Sequence, residues 1–264
     1  MVQPTAAFTG PRFYDEDIGP VQFDPFAADL VQRLPAGFAG EVLEIACGTG
    51  IVTRRLRERL APGARLVATD LAPAMLDHAR KRHAGLAVDW QVADAMQLPF
   101  GAAAFDLVVC GFGVMFFPDP AGGLREARRV LRPGGRLLFN VWSAIEQNPH
   151  ALVNAQVVES LFPGDPQMKF RTPYSLADVD GLRALLAASG LRERAIETRR
   201  LPIEGDPRRI AQGQIRGTPR SALITERGMA LEKVIDDVAA ALVAQGGDPY
   251  RGHAQAVVVD AEAA

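Results

Sequence analysis

The chain is poor in cysteine: Cys47 and Cys110 are the only two among 264 residues. Two thiols cannot build a disulfide framework, and neither has metal-ligand spacing, so reduced thiols, a cytoplasmic protein and no metal site are expected. Excess charge is also lacking. The formal net charge is −2, and the arginines, which far outnumber the lysines, are scattered among acids. Without a basic stripe, a nucleic-acid partner is not expected. Long hydrophobic runs are missing too. The longest apolar stretch, residues 107–117, is broken by glycines and too short for a hydrocarbon layer about 30 Å thick, which argues against membrane insertion. Residues 1–10 have neither a basic region nor an apolar core, so no secretory signal is expected. Internal repeats and low-complexity runs are absent as well. What remains suits an α/β protein long enough to bury a sizeable core.

The most informative stretch is Val42-Leu-Glu-Ile-Ala-Cys-Gly-Thr-Gly50. An apolar strand runs into a glycine turn, and the amphipathic stretch 51–60 follows at helical spacing. Strand, glycine turn and helix together open nucleotide sites. Glycine admits close backbone approach, and the helix N-terminus offers free N–H groups. A dinucleotide fingerprint would need a third glycine where Thr53 stands. Further apolar strands follow at 65–70, ending in Asp70, at 87–94, ending in Asp94, at 105–111 and at 135–142.

Glu44–Gly50, Ala68-Thr-Asp70, Ala93–Phe100, Phe105-Asp106 and Leu131-Arg-Pro-Gly-Gly135 come in order and at the right spacing. Together they resemble the class I S-adenosylmethionine-dependent methyltransferases. Within these, the chain is most similar to the small-molecule branch typified by the ubiquinone/menaquinone-biosynthesis enzymes. The resemblance covers about residues 38–145. One departure is Ala46, where the family's glycine-rich motif usually begins with glycine. The resemblance implies a Rossmann-like, seven-stranded, mostly parallel sheet with helices on both faces, a helical cap and an antiparallel last strand. It also implies S-adenosylmethionine as cofactor.

Ligands of open α/β sheets bind beyond the carboxyl ends of the strands. By resemblance, Ala46, Gly48 and Gly50 line the cofactor with backbone, and Asp70 holds the ribose hydroxyls. Asp94 and the Ala95 amide meet the adenine, on which Leu71 and Met75 pack. Glu44 and the Cys110 backbone lie near the methionine end. Each side chain also has a plainer reading. Asp70 and Asp94 can be turn acids at strand ends, Glu44 a carboxylate that orients the loop, and Cys110 a small buried side chain.

Methyl transfer asks mainly for in-line alignment and exclusion of water, with a base where the acceptor must lose a proton. His150, after the fifth strand, is the base candidate; its other reading is a surface histidine opening a helix. Phe112 and Phe116 offer an apolar wall beside the methyl group. Tyr14 and Tyr174 can act as lid or packing aromatics. Arg171, like Arg216, can clamp an anion or stand as an exposed loop charge. Residues 1–37 read as an N-terminal helical cap segment and 38–145 as the cofactor core. Residues 146–264 read as substrate-cap helices plus the last two strands of the sheet. Specificity is expected in these cap parts, which lack the family motifs. The expected activity is methylation of a small, apolar or aromatic molecule at O, N or C. A nicotinamide-dependent oxidoreductase and a non-methylating binder of the same cofactor are the alternatives.

Overall fold

The computed structural model describes residues 10–263. Part of the N-terminal segment expected as cap, residues 1–9, lies outside the described residues. The apolar runs become strands β1 (Glu41–Ile45), β2 (Arg65–Asp70), β3 (Asp89–Val92), β4 (Phe105–Gly111), β5 (Leu131–Trp142), β6 (Leu191–Gly205) and β7 (Tyr250–Ala263). They form one seven-stranded sheet in the order β3-β2-β1-β4-β5-β7-β6. Strands β3, β2, β1, β4 and β5 are parallel, while β7 runs antiparallel to β5, pairing Trp142 with Ala256 and Arg136 with Glu262. This is the Rossmann-like architecture expected from the sequence.

Chain contacts divide the molecule into two compact units. One holds Phe26–Ser143, Thr172–Arg199 and the chain from Ala256 onward; the other holds the chain up to Pro25, Ala144–Arg171 and Arg200–Gln255.

In the first unit, β1 and β4 are buried on both faces, which accounts for their continuous apolar runs. Leu56 of the helix Ile51–Arg59, Leu30, Val42, Leu66, Leu107 and Val258 belong to one core cluster. Helices Pro73–Arg82 and Pro120–Val130 each open on a proline, whose missing N–H has no acceptor to lose at a first helical position. Because β1 pairs with β2 on one side and β4 on the other, the strand order reverses there. Ligand sites of open α/β sheets lie at such a reversal, here the carboxyl end of β1, where the glycine turn lies.

In the second unit, the helix Leu231–Gly246 buries Val234, Ile235, Val238 and Leu242 and lies against the helices Pro207–Arg216 and Pro149–Leu161. Asp17 accepts from Arg209 (3.1 Å) and Gln212 (2.8 Å), tying the N-terminal helical segment to Pro207–Arg216. That segment, Tyr14–Phe23, is a wide π-type helix that continues into Asp24–Val31. Pro20 cannot donate to a regular α-helical ladder, and the widened turn accommodates it. Strand β6 ends at Gly205, and the helix Pro207–Arg216 follows at once.

Candidate functional site

Three residues of the turn after β1 take left-handed backbone: Ala46 (φ 55°), Gly48 (φ 56°) and Gly50 (φ 83°). Gly48 and Gly50 adopt it without penalty, and Ala46 does not. Nothing lies within 4 Å of where a Cβ on Gly48 would stand, so the turn presents open backbone at that point. Asp70 spans the turn from the neighbouring strand. Its carboxylate accepts from the Gly48 N–H and the Ala72 N–H, each at 2.8 Å. The turn also leans on His83, whose Nε2 is 3.1 Å from the Thr49 carbonyl and whose ring stacks on Trp90. A Cβ on Gly50 would stand 2.8 Å from that ring. His83 is half-buried against the turn.

Beneath the turn, Glu44 is buried and its Oε2 has no hydrogen-bond partner. Burial pushes its carboxyl up to about 8; the Thr53 hydroxyl opposes the shift and the Asp70 charge adds to it. Asp70 is also raised by burial, against the pull of the Ala72, Gly48 and Leu71 amides. Cys110, at the end of β4, is buried and its thiol is pushed up to about 12, chiefly by burial. It therefore stays a thiol.

Beyond β2, Leu71 is 58 % exposed, an apolar side chain left uncovered at the strand end, and Met75 is half-buried. Ala93 N–H donates to the Asp70 carbonyl (3.1 Å), which holds the ends of β2 and β3 together. Two residues past the Asp70–Val92 pairing, Asp94 is exposed and its Oδ1 accepts from the Met96 N–H at 2.8 Å. Ala95 beside it is half-buried.

Beyond β4, Phe112 has φ 55°, an uncommon conformation for a bulky residue. Its N–H donates to both the carbonyl and the side-chain Oδ1 of Asn140 (3.1 and 2.9 Å). Its ring stacks on Trp142 at 3.9 Å and meets Phe26 edge-on at 5.7 Å. Phe116 is 52 % exposed in the turn Val114–Phe116, which contacts the turn Thr172–Tyr174 carrying half-buried Tyr174. The structure thus gathers Glu44, Ala46, Gly48, Gly50, Asp70, Leu71, Met75, Asp94, Ala95, Cys110, Phe112 and Phe116 at or just beyond the carboxyl ends of β1 to β4.

Tyr14, His150 and Arg171 belong to the other unit. Tyr14 stacks on Phe23 at 4.6 Å. Arg171 pairs with Glu159 at 2.6 Å, and Arg216 pairs with Glu232, so the surface cations expected as clamps have carboxylate partners. His150 is no surface histidine: it is buried on the helix Pro149–Leu161, because that helix turns its first residues inward. Burial pushes its ring down to about 4, and a backbone contact with His253, outside hydrogen-bond geometry, opposes this.

Several residues escaped the sequence reading. Asn140 is a buried polar side chain within an apolar strand, a legible signal. Gly113, Trp142, Asn154 and Arg220 carry no motif, and only their packing reveals them.

This geometry is that of a nucleotide-binding α/β sheet, and the comparisons make it more specific. Residues 43–139 match a family described as a methyltransferase domain. The chain is 41 % identical over 109 residues to the malonyl-[acyl-carrier protein] O-methyltransferase of Hahella chejuensis, covering 41 % of this chain and 39 % of that protein. It is 44 % identical over 100 residues to the demethylmenaquinone methyltransferase of Deinococcus radiodurans, covering 37 % of this chain and 41 % of that one. The chain thus spans about two-fifths of the length of the curated relatives it matches. Its fold is also that of Haemonchus contortus phosphoethanolamine N-methyltransferase 2, solved with S-adenosyl-L-methionine. The TM-score is 0.61 at 18 % identity, over 97 % of this chain and 57 % of that one. Residues 43–139 are therefore similar to a methyltransferase domain, and the sheet that carries them is Rossmann-like.

Proposed function

We propose that the protein transfers a methyl group from S-adenosylmethionine to an O, N or C atom of a small, largely apolar or aromatic molecule. The observation that carries this reading is the turn after β1. Open, left-handed backbone lies between two carboxylates, half-buried Asp70 and buried Glu44, and Glu44 has an oxygen without a partner. A ligand that is cationic at one end and carries ribose hydroxyls at the other fits that pair of acids.

S-adenosylmethionine supplies an electrophilic methyl carbon on a sulfonium when bound. Asp70 accepts from the ribose hydroxyls. Asp94 and the Ala95 amide hydrogen-bond the adenine edge, and Leu71 and Met75 cover the ring. Glu44 and the Cys110 backbone hold the ammonium end, while Ala46, Gly48 and Gly50 lie along the ligand. Phe112 and Phe116 exclude water beside the acceptor. Tyr174 borders that apolar wall, and Tyr14 and Arg171 are cap residues in this reading. The neutral ring of His150 is present throughout the physiological range, and its weak basicity suits hydrogen bonding better than general-base work.

Residues 38–145 bind the cofactor in this reading. Residues 1–37 and the helices within 146–264 select the acceptor. A cytoplasmic enzyme of small molecules, with no nucleic-acid partner, agrees with a net charge of −2 and with arginines paired to acids, as in Arg54–Glu58 and Arg65–Glu41. Among the described residues, no helix is long and apolar enough to cross a membrane.

Asp70→Ala tests the assignment. Two hydrogen bonds to a charged acceptor are worth ~1.5–3 kcal/mol each, so S-adenosylhomocysteine affinity falls at least ~100-fold by calorimetry, from that same range. Because Asp70 also ties down Gly48 and Ala72, a modest drop in melting temperature accompanies the loss. Unchanged affinity in a folded variant would remove Asp70 from the ribose.

A further inference from the structure

Thr53 lies in the first turn of the helix Ile51–Arg59 and is wholly buried. A threonine hydroxyl in a helix ordinarily bonds the carbonyl four residues back. Here that carbonyl, of Thr49, lies 3.1 Å from His83 Nε2, and Thr53 Oγ1 has no hydrogen-bond partner. The hydroxyl faces the carboxyl of Glu44 on β1, outside hydrogen-bond geometry. Glu44 is 1 % exposed, and its Oε2 is unpartnered too. Both residues belong to the same compact unit.

Two facing buried polar groups, each short of a partner, cost a fold stability unless something completes them. Their chemistry says what does. A neutral carboxyl carries a donor of its own and draws the hydroxyl weakly. A carboxylate only accepts, and it draws a hydroxyl into a bond roughly twice as strong as a neutral one. In a buried place, a cation alongside is what turns the carboxyl into the carboxylate. A dinucleotide fingerprint has its third glycine where Thr53 stands; that glycine lets helix and strand pack closely and offers no donor. Thr53 supplies one.

We propose that Thr53 is a positioning residue for the amino-acid end of the cofactor. Its hydroxyl donates to Glu44 once a ligand ammonium stands against that carboxylate, so the turn selects nucleosides that carry an amino-acid end over those that lack one. This rests on the methyltransferase reading and deepens it. Thr53 touches no ligand; it fixes the carboxylate that does. The free protein bears the cost of the unmet hydroxyl, and binding removes it.

Calorimetry on the full chain compares S-adenosylhomocysteine with methylthioadenosine, which has the adenosine but no amino-acid end. Thr53→Val keeps the branched shape and deletes the hydroxyl. It should weaken S-adenosylhomocysteine about tenfold, the loss of one hydrogen bond to a charged group, and leave methylthioadenosine unchanged. It should also raise the melting temperature of the free protein, because a buried, unpartnered hydroxyl is gone. Thr53→Ser keeps the hydroxyl and should bind both ligands as the native chain does. Added to Glu44→Gln, Thr53→Val should bring no comparable loss. Equal weakening of both ligands together with a lower melting temperature would reduce Thr53 to packing and overturn the inference. Unchanged S-adenosylhomocysteine affinity in Thr53→Val would overturn it as well, while the methyltransferase reading stands. Failure of the native chain to bind either nucleoside overturns that reading, and this inference with it.

Discussion

Glu44 is the residue on which the electrostatics of the site turn. Free, its carboxyl titrates near 8 because it is buried, against an ordinary value of 4.5. Between those values the folded protein holds a proton that the unfolded chain has released. Its contribution to stability is therefore fully present below pH 4.5 and is lost as pH rises through 8. A cationic ligand beside the carboxylate reverses the preference and expels the proton. Cofactor binding near pH 7 should release close to one proton, and affinity should rise with pH toward 8. Calorimetry in buffers of differing ionisation enthalpy measures this. Glu44→Gln should bind without proton release; release that persists in that variant would assign the proton elsewhere. Ala46 carries a different cost. A left-handed alanine is strained by about 1–2 kcal/mol, while glycine loosens the unfolded chain by about 0.4–1 kcal/mol. Ala46→Gly should raise the urea midpoint by the equivalent of up to about 1 kcal/mol, from the same balance. A lowered midpoint would show that the Ala46 methyl packs more favourably than its backbone is strained.

At the scale of elements, the loops after β1 and β4 interlock. A Cβ on Gly113 would stand 2.6 Å from the Ala46 Cβ and 2.7 Å from the Cys110 sulfur. Gly113→Ala should therefore cost about 1–3 kcal/mol, as overpacking does, and Ala46→Gly should recover part of it. A double-mutant cycle in urea reads the coupling, and strict additivity would mean the loops do not touch as described. The strands and the glycine turn were legible because parallel strands buried on both faces spell continuous apolar runs, and left-handed turns need glycine. Boundaries near prolines and glycines were less so. Tyr14–Phe23 is helical despite Gly19-Pro20, and β6 runs to Gly205 through Pro202. In both, tertiary packing overrides the local signal. The glycine turn and the acids near the ends of β2 and β3 were also readable, since strand ends are marked by where the apolar runs stop. The buried contact between Asn154 and Arg220 was not. Arg220 reaches Asn154 across 66 residues of sequence, and no spacing rule connects the two.

For the molecule as a whole, one sheet topology accounts for where the chemistry collects. The order β3-β2-β1-β4-β5-β7-β6 reverses between β1 and β4. The acids ending β2 and β3, the glycine turn after β1 and the aromatics after β4 therefore share one edge. The proposed function requires that this edge bind S-adenosylmethionine. The most direct measurement is calorimetric titration of the protein with S-adenosylmethionine, S-adenosylhomocysteine and NAD⁺ in parallel. Micromolar binding of the first two, about −8 kcal/mol, and none of NAD⁺ is the expected result. Binding of NAD⁺ alone would contradict it.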